Sequence, residues 1–157
     1  MEEHLKKRPK KKVFSKRIID SLRNQAINKL KAKFLPNNKI IKIVLIGSSL
    51  KNTFGAYEPP GFRGSLFSDF DFIIFIEDDY KIPKWLDKEP TGKPFPNDKL
   101  NLAYRKKRFI KDRYDIEVFF IRKKNMNNSN IKKLGELAGI PMTLKSKHKY
   151  LLIHSRD

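Results

Sequence analysis

Apolar residues recur at helical spacing between residues 15 and 34: Ile18, Ile19, Leu22, Ala26, Leu30 and Phe34. That period predicts an amphipathic helix with a basic outer face. Pro36-Asn37-Asn38 stops it. The pattern then changes to short apolar runs rich in β-branched and aromatic residues, which predict buried strands. Such runs cover residues 40–46, 69–76 and 114–121, with a weaker one over 150–154. A second helix is expected on the stripe Ile131, Leu134, Leu137 and Ala138, capped by Asn128 or Ser129 and ended by Gly139-Ile140-Pro141. Residues 100–110 fit a helix or a strand. Residues 51–68 form a loop with three glycines and Pro59-Pro60. Residues 77–98 are polar with four prolines, a long excursion in which Tyr80 and Trp85 read as anchors to the core rather than platforms for a base. Helices and strands interleave, so residues 15–157 are expected to form one α/β (α+β) domain, a small mixed β-sheet flanked by helices.

Charge changes the picture more than composition does. At 157 residues the chain is long enough for a real core, and twelve Phe residues supply bulk for it. Thirty-six Lys and Arg against seventeen Asp and Glu give a formal net charge of +19, which predicts attraction to polyanions, foremost nucleic acid. Residues 1–14 carry the clusters Lys6-Lys7-Arg8 and Lys10-Lys11-Lys12 and read as a basic arm suited to phosphates. The chain has no cysteine, which excludes disulfides, thiolate metal sites and a cysteine nucleophile. Three histidines do not suggest a His-rich zinc site, and we assign them no role. No apolar run approaches a membrane span and the N-terminus lacks a secretory core, so a cytoplasmic location without membrane contact is expected.

The candidate chemistry lies at the strand ends. Asp69 and Asp71 open the third apolar element in Ser68-Asp69-Phe70-Asp71-Phe72 and project from one face of a strand. Two adjacent carboxylates at a buried strand need a compensating cation, and a divalent metal is the obvious one. Gly47-Ser48-Ser49 follows the strand at residues 40–46 and offers amides and hydroxyls at a turn into a short helix, an anion-binding device. Asp115 and Glu117 form a second same-face pair at the start of the strand over 114–121. If these strands are neighbours, three carboxylates meet beside the Gly-Ser turn, a constellation fit for two-metal phosphoryl transfer. Glu77-Asp78-Asp79 reads as a solvated turn, and Arg105-Lys106-Lys107-Arg108 as a solvated or backbone-tracking basic run.

In order and character these pieces resemble the nucleotidyltransferase superfamily that includes DNA polymerase β, CCA-adding enzymes, poly(A) polymerases and the minimal nucleotidyltransferases. The likeness spans about residues 39–122 and rests on Ile43-Val44-Leu45-Ile46-Gly47-Ser48, Ser68-Asp69-Phe70-Asp71-Phe72 and Tyr114-Asp115-Ile116-Glu117-Val118. It implies a polymerase-β palm-like core. By it, Asp69 and Asp71 bridge two Mg²⁺ ions (Mn²⁺ being an alternative), and Asp115 holds the catalytic ion and helps deprotonate the acceptor hydroxyl. Asp115 is preferred because the family's third carboxylate usually opens its strand; Glu117 remains the alternative. Gly47, Ser48 and Ser49 hold the triphosphate of ATP or another NTP. The spacing from Ser48 to Asp69 is longer than is usual in the family, and the inserted segment brings Lys51 and Arg63 as phosphate contacts.

The implied reaction moves a nucleoside monophosphate from an NTP to an acceptor hydroxyl with release of pyrophosphate. The charge favours an RNA acceptor, tRNA-like at its end. Two alternatives remain: a catalytically inactive RNA-binding module with the same fold, and a minimal enzyme that modifies a protein partner, of toxin–antitoxin type.

Overall fold

A computed structural model of the chain describes residues 9–62, 64–88, 102–126 and 150–156. The expected second helix at 128–138, Arg63, residues 1–8 of the basic arm and the later part of the proline-rich excursion lie outside the described residues.

The amphipathic period does form a helix, α1 (Lys16–Phe34). Ser15 caps it: its backbone is extended and its Oγ accepts the Ile18 N–H at 3.3 Å. Ile19, Leu22, Ala26, Leu30 and Phe34 are buried as the spacing requires. Each large apolar side chain removed from water contributes roughly 1.5–3 kcal/mol.

The strands are β1 (Lys11–Val13), β2 (Ile40–Ile46), β3 (Gly55–Tyr57), β4 (Phe70–Ile76), β5 (Asp87–Lys88), β6 (Leu102–Ile110), β7 (Tyr114–Arg122) and β8 (Leu151–Ser155). Six of them form a mixed sheet in the order β5-β6-β7-β4-β2-β8, and β1 pairs with β3 in a small separate sheet. The fold is therefore α+β. Among the described residues only β4 and β7 run parallel; the other pairs are antiparallel. This puts two strongly apolar runs, β4 and β7, side by side at the sheet's centre, where the side chains of both faces are buried.

One face packs on α1, joining its stripe to Ile43, Leu45, Phe72, Ile74, Val118 and Phe120. The other face carries Ile41, Val44, Ile46, Ile73, Phe75, Ala103, Phe119 and Ile121. The ambiguous segment 100–110 is a strand because it pairs along β7. The end of the basic arm is not loose: Lys11, Lys12 and Val13 pair with Tyr57, Ala56 and Gly55. The short helix expected after Ser48 does not form. Leu50 and Lys51 N–H groups both donate to Gly47 O, giving one turn, and Asn52 with φ +59 breaks it.

Tyr80 and Trp85 are anchors, as expected. Trp85 stacks on Phe109 at 5.8 Å, and Tyr80 packs 6.0 Å from Phe120. Asp78 and Asp79 are exposed on the turn after β4. No helix among the described residues is long and apolar enough to cross a membrane.

Burial pushes the Tyr80 phenol up to about 12 from its usual 10.0. Its neutral form is the one the fold prefers, so its contribution is whole below pH 10 and drains as pH rises through about 12. Tyr80→Phe has no proton to lose, so alkaline titration of unfolding is expected to show wild type losing stability relative to this variant over that window. Parallel curves would refute the assignment.

Candidate metal centre

The two central strands carry the acids. Register pairs Asp71 on β4 with Glu117 on β7, and Glu117 with Arg105 on β6. Directly paired residues share a face, so one row across the sheet reads Arg105, Glu117, Asp71, Ile46. The adjacent row on that face is Ala103, Phe119, Ile73 and Val44, all buried. The charged row thus caps an apolar slab. Asp69, one residue before β4, joins it: ligand oxygens of Asp69, Asp71 and Glu117 lie within 4.8 Å of one another.

These carboxylates are partly buried, on a face shielded by the apolar rows beside them. Three hard oxygens so close repel one another unless a cation sits among them. Their spacing and chemistry fit an ion such as Mg²⁺ or Mn²⁺, which takes carboxylate oxygens at about 2.0–2.1 Å after small side-chain adjustments.

Of the two acids on β7, it is Glu117 that lies with Asp69 and Asp71; the preferred Asp115 is outside that group. Asp115 is buried, its Oδ1 accepts the Arg108 backbone N–H at 2.9 Å, and its Oδ2 faces Arg105 Nη1 at 3.5 Å. Glu117 stands opposite Asp71, whereas both oxygens of Asp115 are engaged by β6, through the Arg108 N–H and Arg105 Nη1.

Gly47 is placed as expected, immediately after β2 and against the acids. Its φ is +86, and a Cβ there would run into Asp71 Oδ2. Glycine is needed twice over, for the conformation and for the approach of the carboxylate. Ser48 is partly exposed beside it. Ser49 is not presented to solvent: it is fully buried, its Oγ has no hydrogen-bond partner among the described residues, and its carbonyl accepts Arg23 Nη1 at 2.9 Å. Lys51 is exposed at the end of the same turn.

Two contributors were not singled out from the sequence. Arg105 is buried and reaches Asp69 Oδ2 at 3.2 Å, Glu117 Oε2 at 3.3 Å and Asp115 at 3.5 Å. Within its basic run nothing separates it from Lys106, Lys107 and Arg108; only the strand pairing does. Ser68 fixes the backbone just before Asp69: its Oγ accepts the Gly55 N–H at 3.1 Å and its own N–H donates to Gly55 O at 2.9 Å. The signal for it was adjacency to Asp69 in a loop that must return to the sheet.

No protein-family model matches this chain, and neither does any curated protein sequence.

Proposed function

We propose that this chain is a metal-dependent nucleotidyltransferase that moves a nucleoside monophosphate from an NTP to an acceptor hydroxyl, with RNA as the acceptor. The observation that carries the reading is the convergence of Asp69, Asp71 and Glu117 oxygens within 4.8 Å beside a glycine turn. The order of strands, with the Gly47 strand antiparallel and the Glu117 strand parallel to the Asp71 strand, supports a polymerase-β-like core.

In the reaction the acceptor oxygen forms a bond to the α-phosphorus, the bond from that phosphorus to the bridging oxygen breaks, and pyrophosphate leaves. Divalent ions would supply charge neutralisation and Lewis acidity. Asp69, Asp71 and Glu117 would hold them, and two ions remain the expected number. This chain's own residues do the rest. Gly47 keeps its side free of a side chain, so that Asp71 is held close. Arg105 fixes the orientation of Asp69 and Glu117, and Ser68 fixes the backbone from which Asp69 projects. The carboxylates take up the hydroxyl proton. A cytoplasmic setting, where NTPs and RNA ends coexist, suits this reading, and a protein acceptor is a variant of it.

A second reading is favoured by Arg105. Its guanidinium reaches Asp69, Asp115 and Glu117 and serves as a built-in cation, as a metal-free RNA-binding module would need. One guanidinium offsets one of four negative charges, which is why the metal reading is preferred. Incubation with Mg²⁺, each α-labelled NTP in turn and total RNA is expected to label RNA. Absence of label on any macromolecule, together with no Mn²⁺ binding, would establish the module instead.

A further inference from the structure

Asp115, which the metal group leaves out, has another task. Pairing of β6 with β7 is regular up to Lys106 opposite Ile116 and resumes at Ile110 opposite Tyr114, with two more residues on β6 than on β7. The surplus is a bulge, and Asp115 Oδ1 pins it through the Arg108 N–H. Arg108 has φ +55, a conformation that an L-residue adopts only when held there. Bulges re-aim side chains beside active sites. Here Phe109 turns into the core while Lys107 and Arg108 stand exposed.

The turn beyond adds exposed Lys111 and Arg113, with Lys111 and Asp112 also at positive φ. Among the described residues no ion pair engages Lys107, Arg108 or Lys111. From Glu117 to Arg113 along β7 is about 13 Å at about 3.3 Å per residue, a span of a few nucleotides. Cations carried on a backbone held one short strand segment from the carboxylates are suited to phosphates.

We infer that this pinned bulge and its turn grip the phosphodiester backbone of single-stranded RNA and lead its terminal hydroxyl toward the carboxylates. RNA is the source because unpaired ends and loops are its habitual form. That the end is brought to a reacting site rests on the nucleotidyltransferase reading; the grip itself does not.

The test measures binding of a fluorescent single-stranded RNA of about 12 nucleotides, within the range of single-strand sites, across a salt series. Lys107→Gln/Arg108→Gln is expected to weaken binding about tenfold and flatten the log–log salt slope by about 1.4, two phosphate contacts' worth. Lys123→Gln/Lys124→Gln, at the opposite end of β7, is expected to keep the wild-type slope. Asp115→Ala gives a test by sign. Removing a negative charge should strengthen RNA binding on electrostatics alone, but releasing the bulge should weaken it. Asp115→Asn, which keeps the acceptor oxygen, should bind at least as well as wild type. A cooperative urea-unfolding transition shows that each variant is folded.

A wild-type slope for the bulge pair, an equal loss in the control pair, or tighter binding by Asp115→Ala would overturn the inference. Duplex DNA bound as tightly as the RNA would overturn the assignment of the partner. If the grip behaves as stated while no NTP labels any acceptor, the grip stands and the enzymatic reading falls.

Discussion

Asp71→Asn and Glu117→Gln are each expected to abolish divalent-cation binding and, with it, to lower nucleotide transfer by at least about 10²–10³-fold, the scale of losing a preorganised electrostatic contact. Both substitutions replace one oxygen by an amide nitrogen, so shape is kept and a charge is lost. Heat unfolding gives a readout independent of activity. An ion that binds only the folded chain stabilises it by about 2.7 kcal/mol at a hundredfold excess over Kd. For a domain of this size that is roughly a 5–10 °C rise in Tm. Wild type should show the rise with Mn²⁺, and the two variants should not. Without metal the variants should melt no lower than wild type, because a like charge has been removed from a crowded group. Asp115→Asn should keep the Mn²⁺ response. If instead it loses the response as completely as Glu117→Gln does, Asp115 is a ligand and the grouping drawn from the register is wrong.

Gly47→Ala should damage the site through the backbone. A φ of +86 costs an L-residue about 1–3 kcal/mol, and the added methyl meets Asp71 Oδ2. Gly64 provides the comparison. Its φ is +78, yet a Cβ there meets nothing within 4 Å. Both alanine variants should lose stability by a similar backbone term, measured by urea unfolding. Only Gly47→Ala should also lose Mn²⁺ affinity, because only there is a ligand displaced. Equal Mn²⁺ affinity in the two variants would show that Gly47 shapes the turn alone.

What was legible in the sequence was whatever a local pattern can carry. Residues 40–46 are β2 without adjustment, and the apolar period from Ile19 to Phe34 is the buried stripe of α1. Asp69 and Asp71 could be read because both sit on a run too apolar to be anything but a strand. β6 was ambiguous because its basic residues obey no period of two until β7 is beside it.

The third carboxylate was undecidable for a related reason. Asp115 and Glu117 share a face, so alternation cannot separate them. The parallel register sets Glu117 opposite Asp71, and what sets Asp115 apart is its bonding to Arg108 and Arg105 on β6. Arg105 depends on register even more. Counting back from the turn pair Ile110 and Tyr114 without a bulge would set Lys107, not Arg105, opposite Glu117. The two surplus residues slide the strand by an even number, so each side chain keeps its face while the partner changes. Ser49 shows the opposite failure: a Gly-Ser-Ser string suggested a phosphate cradle, but the second serine is turned inward.

The parallel pairing of β4 and β7 has a consequence for when the protein can work. Its two acid-bearing strands are distant in sequence, and in the sheet they are joined only by the slowest kind of contact to form. No earlier fragment of the chain holds the three carboxylates together, whether on the ribosome or during refolding. An emerging or half-folded chain therefore lacks the acidic group, which is assembled only with the closing of the sheet's middle. A bound ion would in turn act as a clasp on that seam, so that ion binding and the folded state of this chain would be gained and lost together.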